Sequence, residues 1–217
     1  MRLVIANKNY SSWSLRAWLL LTELGVPFTE QKWTFGDPDW KARVEALTPA
    51  GTVPILIDRG LVVPDSLAIA EYVAEQEPRV WPEGRDARAV ARAVCAEMHA
   101  GFSALRTAMP MNIEARLPGR GLNLRVQQDI DRILAIWADT RERFGGEGPF
   151  LFGAFCAADA FYAPVVWRFV THGIEVPPEA AAYMNAIRGL ASMQAWVEEA
   201  LAEHEYVAMD EPYRAAR

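Results

Sequence analysis

Apolar and polar positions along the first 80 residues change period several times. "RLVIA" (2–6) is a short apolar run of β type. From about residue 12 to 24 the pattern turns helical, with Leu15, Trp18, Leu19 and Thr22 on one face and Gly25 as the stop. "PFTEQKW" (27–33) reads as a second strand, and Asp37-Pro38 opens a short helix that ends near Leu47. "VPILID" (53–58) and "GLVVP" (60–64) flank Asp58-Arg59-Gly60, a tight-turn signal between two strands. Pro54 can only open its strand, because it lacks the N–H that a strand interior requires. Ser66 then precedes the amphipathic helix "LAIAEYVAEQ", which Pro78 ends. The predicted order is β-α-β-α-β-β-α.

Beyond "PRVWPEG" (78–84) the strand pattern disappears. Helical periodicity covers about 86–109, 122–144, 157–171, 179–187 and 192–203, punctuated by Pro110, glycines near 119 and 145, and "VPP" (176–178). The reading is a small α/β domain over 1–78, a linker over 79–85 and an all-helical domain over 86–217, with an irregular tail from Tyr206.

Composition narrows the function. With 217 residues, 52% of them hydrophobic, the chain can bury a sizeable core. Its 22 basic against 28 acidic residues give −6, and no basic block offsets this, which argues against a nucleic-acid partner. Cys95 and Cys156 form no CxxC motif or disulfide framework, which fits a reducing cytoplasm. No apolar run approaches the roughly 18 residues of a membrane span. His99, His172 and His204 lack ligand-like spacing, so no metal site is expected.

Chemistry concentrates in "NYSSWSLRAWLLL" (9–21), where three serines stand ahead of an apolar helix. By itself this is an N-cap, a hydroxyl accepting from an orphan backbone N–H. Asp65-Ser66 is a second such pair, ahead of Leu67.

Three segments in this order resemble the soluble glutathione transferases: the serine-bearing helix start, "TPAGTVPILIDRGLVVPDSLAIAEYV" (48–73) and "FLFGAFCAADAFYAPVVWRF" (150–169). The "SSWS" motif is similar to the serine-type classes, especially the zeta class and its bacterial relatives. The resemblance implies a thioredoxin-like N-terminal domain that binds glutathione and a helical domain that lines the second substrate's pocket. It also implies a homodimer.

By that resemblance a serine at the start of the first helix meets the glutathione thiol. Ser11 leads, being the first residue of a pair with Ser14 at the spacing of a redox CxxC and five residues before Arg16. Ser12 is the alternative from an ungapped comparison, while Ser14 packs or caps, and Tyr10 is a lesser candidate. Pro54 is expected to be cis, with the Val53 N–H and C=O turned toward the cysteinyl backbone of glutathione. Ser66 is expected to hold the γ-glutamyl carboxylate at a positive helix end, Asp65 the γ-glutamyl ammonium, and Lys41 and Trp33 the glycyl end. Phe102, Arg106, Met109, Asn112 and Trp167 are the candidates for the electrophile pocket. Cys156 stands where the family usually has Ser or Thr, in a capping box with Asp159.

The gain from lowering the thiol pKa is bounded. A thiol of pKa about 8.5 is only about 3% thiolate at pH 7. Lowering it by about two units takes about 2.7 kcal/mol of preferential interaction. After the accompanying loss of nucleophilicity the net gain is only about threefold. Most acceleration therefore has to come from holding thiol and electrophile together.

The implied activity is conjugation of glutathione to a small electrophile. The alternatives are a glutathione-dependent cis–trans isomerase of the maleylacetoacetate type and a non-catalytic protein that keeps the fold for binding. The isomerase class usually has a cysteine after the serine pair, where this chain has Trp13.

Overall fold

The computed structural model describes residues 1–214; the last three residues of the tail lie outside it. The first half runs β1 (Arg2–Ile5), α1 (Ser12–Glu23), β2 (Thr29–Lys32), α2 (Trp40–Leu47), β3 (Ile55–Asp58), β4 (Leu61–Pro64) and α3 (Ser66–Ala74), in the predicted order. The strands form one sheet of order β2-β1-β3-β4. β1 pairs parallel with β2 and antiparallel with β3, and β3–β4 is an antiparallel hairpin. Its turn places Arg59 at φ 48° and Gly60 at φ 87°, a left-handed pair that suits the twist of the flanking strands.

Both faces of this sheet are covered, and strand alternation shows how. Leu3, Ile5 and Leu56 point into the main core with α1 and α3. Val4, Ala6 and Ile55 point the other way, onto Val44 of α2, with Trp40 and Phe35 closing that layer. A four-stranded mixed sheet between helices is the thioredoxin-like arrangement, and the bond between Val53 and Pro54 is cis.

The helical half comprises α4 (Arg85–Ala100), α5 (Ser103–Ala108), α6 (Leu124–Thr140) with a π-turn over Arg141–Gly145, α7 (Ala157–His172), α8 (Pro178–Gly189) and α9 (Ala191–Ala202). Short 3-10 turns sit at Pro78–Val80 and Ala208–Asp210. The periodicity over 86–109 thus divides into two helices at Gly101. A side chain there would meet the Glu97 carbonyl at 2.7 Å, and Phe102 follows in the left-handed region at φ 55°. Helical spacing alone does not register such a break.

One core spans both halves, because α1 packs against α7 as well as against α3 and the sheet. The loop that leads into α1 is fixed from below. Lys8 is fully buried with Nζ 2.8 Å from Glu30 and 2.7 Å from Glu199, above the rings of Trp18 and Trp196. The Glu203 carboxylate accepts the N–H groups of Lys8 and Asn9 at 2.6 and 3.1 Å. The start of α1 is therefore held by the sheet, α9 and the chain that follows it.

Candidate active site

Ser11 caps α1. Its Oγ accepts the Ser14 N–H at 3.3 Å and lies 2.7 Å from Ser14 Oγ, which itself accepts the Ala6 N–H at 3.0 Å. The proton between the two hydroxyls can sit on either oxygen. When Ser14 supplies it, Ser11 keeps its own proton for a ligand. Ser12, the first residue of α1, is bound differently: its Oγ accepts from Arg168 Nη2 at 3.2 Å. A guanidinium only donates, so the Ser12 proton stays free in either arrangement. Both serines line a cavity of about 200 Å³ together with Tyr10, Trp13, Phe35, Arg106, Pro110, Met111, Arg168 and Asp210.

Trp13 is the junction of the site. The Arg16 guanidinium lies 4.1 Å from its ring centroid and that of Arg106 5.2 Å. The His99 ring meets its edge at 5.2 Å, and His99 Nε2 stands 3.3 Å from Asp65 Oδ2. This chain of contacts links the start of α1 to the start of α3.

At α3, Asp65 adopts φ 78° and its Oδ1 accepts the N–H groups of Leu67 and Ala68 at 2.7 and 3.2 Å. Ser66 Oγ is buried and has no hydrogen-bond partner among the described residues. A hydroxyl left unpaired at the positive end of a helix is a ready anion contact. Lys41 is mostly exposed, 3.7 Å from Glu45 one turn on. Trp33 packs edge-on against Trp40 on the far face of the sheet.

The charges around the cavity are unusual. Arg16 is fully buried with no hydrogen-bond partner for its guanidinium among the described residues. Burial, then the neighbouring Arg168 and Arg106, pull its pKa down to about 9. Arg168, whose Nε donates to the Met109 carbonyl at 2.9 Å, is lowered to about 10 by burial and by Arg106. Burial lowers Arg106 as well. Asp210 is raised to about 6 by burial, against the pull of Arg168. The Tyr10 hydroxyl donates to Glu211 at 2.8 Å and is pushed up to about 12, first by burial and then by that bond. It is thus a poor source of a phenolate.

Of the pocket candidates, the cavity holds Tyr10 and Arg106. Phe102 and Met109 are buried in the main core. Asn112 builds a turn, accepting the Ala115 N–H through Oδ1 and the Thr171 hydroxyl through its carbonyl. Trp167 faces a separate cavity beside Arg188 and Gln194. Phe102, Met109 and Asn112 follow the helix break at Gly101, and Trp167 lies on α7 one residue before Arg168. Sequence reasoning missed Arg168, Met111 and Asp210. Arg168 carried a signal: it is the first charged residue after Asp159 in an apolar run.

Among the described residues, no group of three or more His, Cys, Asp or Glu side chains is placed to hold a metal ion, and no helix is long and apolar enough to cross a membrane.

Comparison with known proteins gives a consistent setting. Residues 10–76 match the family described as glutathione S-transferase, N-terminal domain. A "Stringent starvation protein A homolog" of Coxiella burnetii is 27% identical over 150 residues, a stretch covering 66% of each protein, just under two thirds of that relative's length. A Burkholderia glutathione transferase homolog with bound glutathione superposes with a TM-score of 0.71 at 24% identity, over 93% of this chain and 98% of that one. Maleyl pyruvate isomerase, described as a bacterial glutathione S-transferase of the zeta class, gives 0.70 at 21% identity, over 95% of this chain and 100% of that one. The chain has the glutathione S-transferase fold, and its residues 10–76 match the glutathione S-transferase N-terminal domain family.

Proposed function

We propose that the protein is a glutathione transferase that binds glutathione on its α/β half, sets the thiol at the start of α1 and conjugates it to a small electrophile from the adjoining cavity. The observation that carries this is the buried, unpaired Ser66 hydroxyl at the start of α3, joined through Asp65, His99 and Trp13 to two serines that open a second helix. Ser66 and the α3 N-terminus would take the γ-glutamyl carboxylate, and Asp65 would take the ammonium. The Val53 backbone, which makes no backbone hydrogen bond among the described residues, would pair with the cysteinyl unit. Lys41 and Trp33 remain the candidates for the glycyl end.

Ser11 and Ser12 would share the thiol, as the catalytic pair. Ser12 keeps its proton however the Ser11–Ser14 pair is arranged, so the hydrogen bonding moves weight toward Ser12. Either hydroxyl donates to the developing thiolate, and the positive end of α1 adds to that effect. The helical half then supplies the wall that holds the electrophile against the sulfur. In a cell this chemistry belongs to a cytoplasmic detoxification enzyme acting as a homodimer; the free thiols Cys95 and Cys156 suit that compartment.

A glutathione-dependent isomerase is the second reading, favoured by the arginine-lined cavity. Retention on immobilised glutathione together with turnover of a generic aryl halide tests the enzyme reading. Glutathione consumed in step with product supports transfer, and product without consumption supports isomerisation. Neither retention nor turnover would leave only a binding role for the fold.

A further inference from the structure

Lys8, in the turn just ahead of Ser11, is gripped by one stripe of α9 through its carbonyl, its ammonium and its N–H. Trp196 Nε1 donates to the Lys8 carbonyl at 2.9 Å. Glu199 takes the Lys8 ammonium at 2.7 Å. The Glu203 carboxylate accepts the Lys8 N–H at 2.6 Å through Oε1 and the Asn9 N–H at 3.1 Å through Oε2. Positions 196, 199 and 203 fall at i, i+3 and i+7, which is one face of a helix carried to its end. Two successive backbone N–H groups turned onto one carboxylate make an anion-binding nest, and its occupant here comes from the far end of the same chain.

The rest of the turn closes on itself. The Tyr10 and Ser11 N–H groups donate to the Asn7 carbonyl at 3.3 and 2.8 Å, and the Ser12 N–H donates to the Tyr10 carbonyl at 2.9 Å. Glu203 thus takes the N–H groups of Lys8 and Asn9, while the turn's own carbonyls take those of Tyr10, Ser11 and Ser12. The orientation of the turn against the body of the protein depends on the Glu203 carboxylate more than on any bond inside the turn. That side chain is 1% exposed and lies 3.1 Å from Lys32 Nζ. Its bonds to the two N–H groups are charge-assisted, and without it both donors would be left without an acceptor.

We infer that Glu203 is a positioning residue for the serine hydroxyls: by holding the Lys8 and Asn9 N–H groups it sets the angle at which Ser11 and Ser12 meet the sulfur. Trp196 and Glu199 fix the same residue by its carbonyl and its ammonium. What the serines do rests on the transferase reading; that α9 orients their turn rests on the bonds themselves. The contacts proposed for glutathione come from α3 and Val53, so a loosened turn separates thiol activation from glutathione binding. A displacement of about 1 Å at a reacting group can cost about 100-fold in rate, so the loss belongs in kcat.

The test compares the full-length parent with Glu203→Gln and Lys32→Met. Gln keeps the size of the side chain but turns an NH2 toward a backbone N–H, whereas Lys32→Met removes the counter-ion and leaves the nest. Glu203→Gln should lower kcat for glutathione and a generic aryl halide by about tenfold or more. Its KM for glutathione should stay within about twofold. The thiolate absorbance of bound glutathione should appear at higher pH than in the parent, and hydrogen exchange should speed up over residues 8–12 but not at the start of α3. Lys32→Met should keep kcat within about twofold. An unchanged kcat in Glu203→Gln, a loss carried equally by glutathione affinity, or an equal loss in Lys32→Met would overturn the assignment. Glu203→Asp keeps the charge, shortens the reach and is read the same way if Glu203→Gln does not fold. If the parent itself turns over no aryl halide, the transferase reading fails on its own. Hydrogen exchange then decides the positioning claim, and unchanged exchange over residues 8–12 would overturn it.

Discussion

Arg168 and Ser12 meet across the two halves of the molecule, Nη2 to Oγ at 3.2 Å. The same guanidinium is anchored by its Nε to the Met109 carbonyl, so the bond fixes Ser12 from the helical side while the backbone of α1 fixes it from the other. Ser12→Ala should lower kcat by about tenfold or more, the scale of one donor to developing charge, with little change in glutathione affinity. Ser11→Ala is expected to cost less. Arg168→Lys should restore part of the activity that Arg168→Met loses. Steady-state kinetics on the four variants reads this; equal rates for Ser12→Ala and the parent would remove Ser12 from the mechanism.

Ser14 braces the start of α1 rather than taking part in the chemistry. Ser14→Ala removes the acceptor of the buried Ala6 N–H and the partner of Ser11 Oγ. The expected loss is about 1–3 kcal/mol of stability, the range for orphaning a buried donor. A denaturant melt measures it directly.

Much of this site could be read before the fold was known. The two helix starts and the hairpin between them announce themselves through Ser, Asp, Pro and Gly at positions where backbone chemistry demands them. Ser11, Ser12, Asp65 and Ser66 lie where local rules put them. Arg168 and Asp210 could not be reached that way, because they join Ser12 only through the packing of α7 and the closing tail. Phe102 and Asn112 misled because Gly101 interrupts a pattern whose period continues through it.

Asp159 imposes a pH dependence on stability. It is fully buried, accepts the N–H groups of Leu151 and Cys156, and is raised to about 6 by burial. A folded pKa above the unfolded value gives a contribution that is full below about pH 4 and lost as pH rises through about 6. With a shift of about two units the loss is about 3 kcal/mol. Melts of the parent and Asp159→Asn between these limits should differ in slope by that order.

Cys156 opens α7 in capping-box geometry, where a thiol is a weak acceptor for the Asp159 N–H. Cys156→Ser should stabilise the protein by up to about 1 kcal/mol. A denaturation midpoint that stays put or falls would contradict it.

The central claim is that glutathione lies on the α/β half with its γ-glutamyl carboxylate at Ser66. Calorimetric titration of glutathione into the parent and Ser66→Ala tests this most directly. The account predicts saturable one-to-one binding to the parent, weakened about tenfold or more in Ser66→Ala through loss of a bond to a charged group. Equal affinity in the two proteins, or no binding to the parent, would contradict it.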